Sequence, residues 1–263
     1  MNQRPTLLAG TLLAVLIALP AWPSGLAKIN LSGYAPGKNA CIAVYDSQAE
    51  QYLVHNMAQC QERLSPCSTF KIPNALIGLE TRVLTGPEDT KEWDGTEHSR
   101  QVNNQHHDLA SAIRNSVLWY FQEVAQDVGV EQMQAYLDAF DYGNRDISGG
   151  QDQFWLDSSL QITALEQIGF MAALDKGALP ASTANQQTVK GMMLQEDKLP
   201  EGFQGDLYGK TGSCVTPQGD HGWFTGFYHR DGGDYVFAVN VKGKKQWGWQ
   251  AREIAVAVLD DLP

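Results

Sequence analysis

Ser68-Thr69-Phe70-Lys71 places an alcohol and an amine three residues apart, directly ahead of the apolar run Ile72-Pro73-Asn74-Ala75-Leu76-Ile77-Gly78-Leu79. Positions i and i+3 of an α-helix share a face, so the Lys71 amine can reach back to the Ser68 hydroxyl. A serine hydroxyl is a weak nucleophile until a neighbouring base takes its proton. Pro73 is tolerated only where a helix has barely begun, because the first helical N–H groups lack intrahelical acceptors. The spacing therefore predicts Ser68 at the positive end of a helix, a place that also suits a plain serine N-cap. A second constellation, Lys210-Thr211-Gly212, lies between Tyr208 and the strand-like Trp223-Phe224-Thr225-Gly226-Phe227-Tyr228. On an edge strand it offers a fixed cation, a hydroxyl and a glycine that lets a ligand lie close to the backbone.

A serine and lysine in this spacing upstream of Lys-Thr-Gly is the order of penicillin-recognising serine enzymes. Three more strings narrow the class: Ser116-Val117-Leu118, expected within one helix over residues 109–124, with no Ser-Asp-Asn at that place; Tyr142-Gly143-Asn144; and Phe154-Trp155-Leu156. With five elements in register across essentially the whole mature chain, the sequence resembles the class D β-lactamases. One departure is Leu118, where that family usually carries valine; the added methylene bears on access of the hydrolytic water.

The resemblance implies hydrolysis of penicillin-type antibiotics through an acyl-enzyme on Ser68, conferring antibiotic resistance. Lys71 must then be neutral. A free lysine titrates near pH 10.4, so half neutrality at pH 7 means destabilising its ammonium by roughly 4.6 kcal/mol, within reach of full burial. Phe70, Val117, Leu118, Trp155 and Leu156 are expected to supply the apolar setting. The resemblance further implies that Lys71 reacts with carbon dioxide or bicarbonate to become N6-carboxylysine, held by the donor-only Trp155 indole N–H and acting as base in both half-reactions. No other cofactor is implied. Ser116, with Lys210 beside it, relays a proton to the lactam nitrogen, and the backbone N–H groups of Ser68 and Ser213 form the oxyanion hole. Thr211, Gly212 and Arg252 bind the anionic substrate, with Leu118 lining the same cleft. Tyr142 and Asn144 shape the cleft wall. Two other readings share these motifs: a penicillin-sensing domain that stays acylated, and a peptidoglycan transpeptidase or carboxypeptidase.

Positioning these groups requires two lobes. Cys41-Ile42-Ala43-Val44-Tyr45 and Tyr52-Leu53-Val54-His55, parted by a polar turn over 46–51, read as a hairpin. From Ser68 to about Met193 the apolar spacing is mostly helical, as in Met133, Tyr136, Leu137 and Phe140, then Ile162, Leu165, Ile168 and Met171. Strand patterns return at 207–213, 223–230 and 235–242, with turns expected at Asp220-His221-Gly222 and Asp231-Gly232-Gly233, and a last helix spans about 250–259. Early and late strands around a helical middle predict a two-lobed α+β fold. An antiparallel sheet lobe (about 28–67 and 194–263) is flanked by helices and carries an all-α insertion (about 68–193), with the ligand cleft between the lobes.

Composition agrees. The chain has 263 residues, 43% of them hydrophobic, enough for a substantial core, and a formal charge of −11 with no basic stripe, which argues against a nucleic-acid partner. Arg4, an apolar run over 7–19 and Gly25-Leu26-Ala27 read as a signal peptide spanning residues 1–27, with one domain following at 28–263 and a periplasmic or secreted product, free of the membrane. A retained anchor is the alternative reading of that segment. The four cysteines, Cys41, Cys60, Cys67 and Cys214, lack zinc-ligand spacing and allow three pairings. The resemblance adds that Cys67 and Cys214 face each other across the site, implying a disulfide between them. The expected partner is a small-molecule β-lactam, met by a monomer or homodimer, with no metal.

Overall fold

A computed structural model describes residues 29–35, 37, 39–197, 199–216 and 219–263. The expected signal peptide at 1–27 and the start of the mature chain at Lys28 lie outside the described residues. In chain order the elements are β1 (Asn39–Asp46), β2 (Gln51–His55), α1 (Met57–Cys60), α2 (Lys71–Glu80), β3 (Thr90–Lys91), β4 (His107–Asp108), α3 (Leu109–Asn115), α4 (Leu118–Val128), α5 (Val130–Ala139), α6 (Ala164–Asp175), α7 (Thr183–Met192), β5 (Asp206–Cys214), β6 (His221–Arg230), β7 (Gly233–Lys242) and α8 (Gly248–Asp260). Short 3-10 turns cover Leu31–Tyr34, Cys67–Phe70 and Gln101–Asn103.

The main sheet runs β2-β1-β7-β6-β5, every pair antiparallel, so the first hairpin docks onto the last strands and β5 is left as an edge. Alternation along the strands fills two cores, one on each face. Trp223, Phe227, Val236 and Ala238 join the core of the helical insertion, against which α6 packs. Phe224, Tyr228, Phe237 and Val239 face the other way, onto Ile254, Ala255, Val258 and Leu259 of α8. Both sheet faces are therefore covered, and β2 and β5 are its edge strands, β5 being bonded to residues 193 and 195 at its start. Among the described residues no helix is long and apolar enough to cross a membrane.

Two local expectations are corrected. Residues 109–124 are not one helix: Ser116 adopts the left-handed conformation (φ 56°), α3 ends there, and Val117 in extended backbone starts α4 at Leu118. The freed end is satisfied locally, since Ser116 N–H donates to the Ile113 carbonyl and Val117 N–H to that of Ala112. Likewise, Asp220-His221-Gly222 is not a turn. His221 and Gly222 already belong to β6, paired with Cys214 and Ser213. A Cβ on Gly222 would lie 2.1 Å from the Trp247 carbonyl carbon, so the strand passes too close to the α8 entry for any other residue. The Asp231-Gly232 turn closes between the paired Arg230 and Gly233.

Candidate active site

The nucleophile is presented by a change of helix type. Cys67–Phe70 form a 3-10 turn that runs directly into α2 at Lys71, with Pro73 in the first turn of α2, where its missing donor costs little. Cys67 sits in the left-handed region (φ 47°), so the chain turns sharply just before Ser68. Backbone and side-chain bonds hold this turn: Cys67 N–H donates to the Trp155 carbonyl at 2.8 Å, Thr69 Oγ1 donates to the Pro66 carbonyl, and Gln167 Nε2 donates to Thr69 Oγ1. On the other side the Ser65 carbonyl accepts from Trp223 Nε1 at 3.0 Å and lies 2.9 Å from His221 Nε2.

Lys71 Nζ stands 3.0 Å from Ser68 Oγ. The lysine is 1% exposed, with its amine 5.6 Å from the centre of the Phe121 ring. Burial pushes its pKa well below the ordinary lysine value, and the nearby charges of Lys210 and Arg100 push in the same direction. No carboxylate among the described residues pairs with it. Trp155 is fully buried and stacked on Phe70 at 5.3 Å, and its indole N–H has no acceptor among the described residues. An orphaned buried donor typically costs about 1–3 kcal/mol, so a group that accepts this hydrogen bond is stabilised there.

The opposite wall is built from the α3–α4 break and β5. The left-handed Ser116 turns its hydroxyl out of the helix line, and Lys210 Nζ donates to Ser116 Oγ at 3.0 Å and to the Thr211 carbonyl at 3.0 Å. Burial, reinforced by Arg100, lowers the Lys210 pKa to about 7. Strand parity decides which backbone groups face out. Gly209 N–H donates to the Met193 carbonyl and Gln195 N–H to the Leu207 carbonyl, so residues 207 and 209 point away from β6. Antiparallel alternation then sends the N–H groups of Thr211 and Ser213 out of the same free edge. Between them, a Cβ on Gly212 would lie 2.8 Å from the Pro66 carbonyl oxygen, so only glycine lets β5 lie this close to the nucleophile turn.

A disulfide joins Cys67 to Cys214, as the resemblance implied, and a second joins Cys41 to Cys60. Cys67 is the chain neighbour of Ser68, and Cys214 of Ser213. Among the other expected site residues, Leu118 opens α4, partly buried against the core of the helical insertion. Thr211 is on β5, and Ser213 Oγ accepts from Gly248 N–H at the start of α8. Arg252 on α8 stacks over Phe224 and donates to Gln195 Oε1 and the Asp197 carbonyl. Tyr142 is fully buried, edge-on to Phe70 and Phe170, and Asn144 pins the loop after it to Ser159 and Gln161. Sequence reasoning missed Phe121, the Ser65 clamp and Arg100. Phe121 shares an apolar periodicity with the rest of α4, whereas Arg100 lies in a polar loop with no periodic or motif signal.

The fold and the paired Ser68-Lys71 and Ser116-Lys210 groups define a penicillin-binding, transpeptidase-type domain, and the family model for the penicillin binding protein transpeptidase domain matches residues 40–260. Within that superfamily, the chain is 42% identical over 234 residues to the probable beta-lactamase YbxI of Bacillus subtilis, covering 89% of this chain and 85% of that one. It is 35% identical over 219 residues to the regulatory protein BlaR1 of Bacillus licheniformis, covering 82% of this chain but 36% of that protein. The solved structure of the class D beta-lactamase BAT-2 superposes with a TM-score of 0.83 at 40% identity, over 90% of this chain and 97% of that one. The chain belongs to the class D β-lactamases.

Proposed function

We propose that this protein hydrolyses the β-lactam ring of penicillin-type antibiotics in two steps, acylation of Ser68 and release of the acyl group by water. The observation that carries this reading is the buried Lys71 amine 3.0 Å from the Ser68 hydroxyl, in surroundings that disfavour its ammonium. A neutral amine can take up carbon dioxide, and the carbamate so formed on Lys71 accepts the Ser68 proton as the oxygen attacks the lactam carbonyl. The growing oxyanion is met by the N–H groups of Ser68, in the first turn of a helix, and Ser213, on the open edge of β5, donors of a kind whose loss costs about 10²–10³ in rate. Ring opening leaves a lactam nitrogen that needs a proton. Ser116 supplies it and is resupplied by Lys210, whose pKa of about 7 suits an amine that both gives and takes protons at neutrality. Thr211 and Arg252 hold the substrate carboxylate.

Deacylation uses the same base, now to activate water. Carboxylation of the Lys71 amine by carbon dioxide supplies one oxygen for the Trp155 N–H and another to draw a proton from water, and the unpartnered indole donor favours this modification. Leu118 borders the path of that water. The leader read at residues 1–27 and the two disulfides suit an exported protein, in the periplasm or outside the cell, where its activity confers resistance.

The similarity to BlaR1 favours a second reading, a domain that is acylated and stays so. Intact-mass spectrometry during incubation with benzylpenicillin separates the two. Hydrolysis predicts continuous release of penicilloate with a transient Ser68 adduct; a permanent adduct without product selects the second reading. Product release by Ser68→Ala would overturn both.

A further inference from the structure

We propose that Arg100 is a specificity-determining residue of this cleft, a surface-accessible guanidinium that takes a carboxylate of the β-lactam substrate. The inference deepens the proposed function and rests on it. Arg100 lies in the loop between β3 and β4 and caps the 3-10 turn Gln101–Asn103. Its Nη1 donates to the Asn115 carbonyl at 2.8 Å, which fastens the side chain one residue from Ser116, the hydroxyl bonded to Lys210. Arginine carries five N–H donors in a planar fork, and this contact uses one, leaving others for a ligand arriving from solvent.

The electrostatic setting points the same way. Three basic side chains, Lys71, Lys210 and Arg100, converge on one cleft of a chain whose formal charge is −11, and none of them has a carboxylate partner among the described residues. Arg100 repels both lysines strongly enough to help lower the pKa of each. An anion bound between Arg100 and Lys210 relieves that repulsion. A carboxylate matches the guanidinium fork best, because both are planar and can form two parallel hydrogen bonds. The carboxylate on the ring and a second one on the acyl side chain share this chemistry. Arg252 and Arg100 reach the cleft from different elements, α8 and the β3–β4 loop, so the two serve different carboxylates or share one.

The test measures kcat and KM of the parent, Arg100→Gln and Arg100→Lys with three penicillins: the ordinary monoanion, its uncharged methyl ester, and a form with a second carboxylate on the side chain. Arg100→Gln is expected to raise KM for the anions about tenfold with kcat within a few-fold of the parent and to leave the ester's KM unchanged, and Arg100→Lys, which keeps the charge but not the fork, is expected to fall between parent and Arg100→Gln. A rise shared by both anions assigns the ring carboxylate; a rise confined to the dianion assigns the side-chain one. In the unmutated protein, added salt should raise KM for the anions and spare the ester. Equal changes for acid and ester, or a fall in kcat at constant KM, would overturn the proposal. If the parent turns over none of the three, the proposed function fails instead, a result distinct from Arg100-insensitive hydrolysis.

Discussion

Removing the two disulfides one at a time should separate a crosslink that serves the site from one that serves the fold. The Cys67–Cys214 bond closes a sequence separation of 147 residues and the Cys41–Cys60 bond one of 19. With loop-closure entropy growing as the logarithm of length, these correspond to about 5 and about 3 kcal/mol of stability at 25 °C. The paired variant Cys67→Ala/Cys214→Ala should therefore lose about 2 kcal/mol more than Cys41→Ala/Cys60→Ala, read as a lower urea midpoint at similar slope. Activity should divide more sharply. The first pair flanks both proposed oxyanion donors, so its loss lets β5 drift from the nucleophile turn and should lower kcat about tenfold, a fraction of what a lost donor costs. The second pair, on β1 and α1, should leave kcat unchanged. Equal stability losses, or a kcat that falls equally in both variants, would refute the reasoning.

Trp155→Phe keeps the stack on Phe70 but deletes the indole donor; turnover should fall about 10- to 100-fold, with partial recovery in excess bicarbonate, and a variant matching the parent would remove Trp155 from the account. Lys210→Met should abolish useful turnover yet stabilise the protein at pH 7. The unfolded chain holds the Lys210 proton up to pH 10.5 and the folded one only to about 7, so stability rises with pH across that window and the variant's advantage shrinks over the same range. Two lost hydrogen bonds offset part of a burial cost of about 4 kcal/mol, leaving a gain of about 2 kcal/mol, and a melt showing destabilisation at pH 7 would contradict it. His229 is hydrogen bonded to Asp175 and Asp234, and chiefly the Asp175 bond raises its pKa. Its contribution is full below pH 6.5 and is lost as pH rises through the raised value, so the stability gap between parent and His229→Asn should narrow on that rise; a widening gap would count against the clasp.

The residues that were legible in the sequence are those whose geometry is set by local periodicity. Ser68 and Lys71 meet because three residues make nearly one helical turn, and strand alternation placed β5, β6, β7 and the β1–β2 hairpin within a few residues of their bounds. Where tertiary contacts override local preference, reading failed. Ser116 has no residue-type cue for a left-handed backbone, yet the α3–α4 break it makes is what brings its hydroxyl to Lys210. Asp220-His221-Gly222 has turn composition, but pairing with Ser213 and Cys214 draws His221 and Gly222 into β6. Arg100, in a loop without pattern, gained its meaning only from the Asn115 carbonyl at the end of α3, 15 positions away. Strand order could not be read either, since β1 joins β7 across nearly the whole chain.

The central claim is that burial keeps the Lys71 amine neutral, ready to arm Ser68 and to take up carbon dioxide. Carbon-13 NMR of the protein in labelled bicarbonate at neutral pH tests it most directly. One carbamate resonance, absent from Lys71→Ala and lost on acidification, is the result expected; a spectrum with no such resonance, together with a Lys71 side chain that titrates as an ordinary ammonium, would contradict the account.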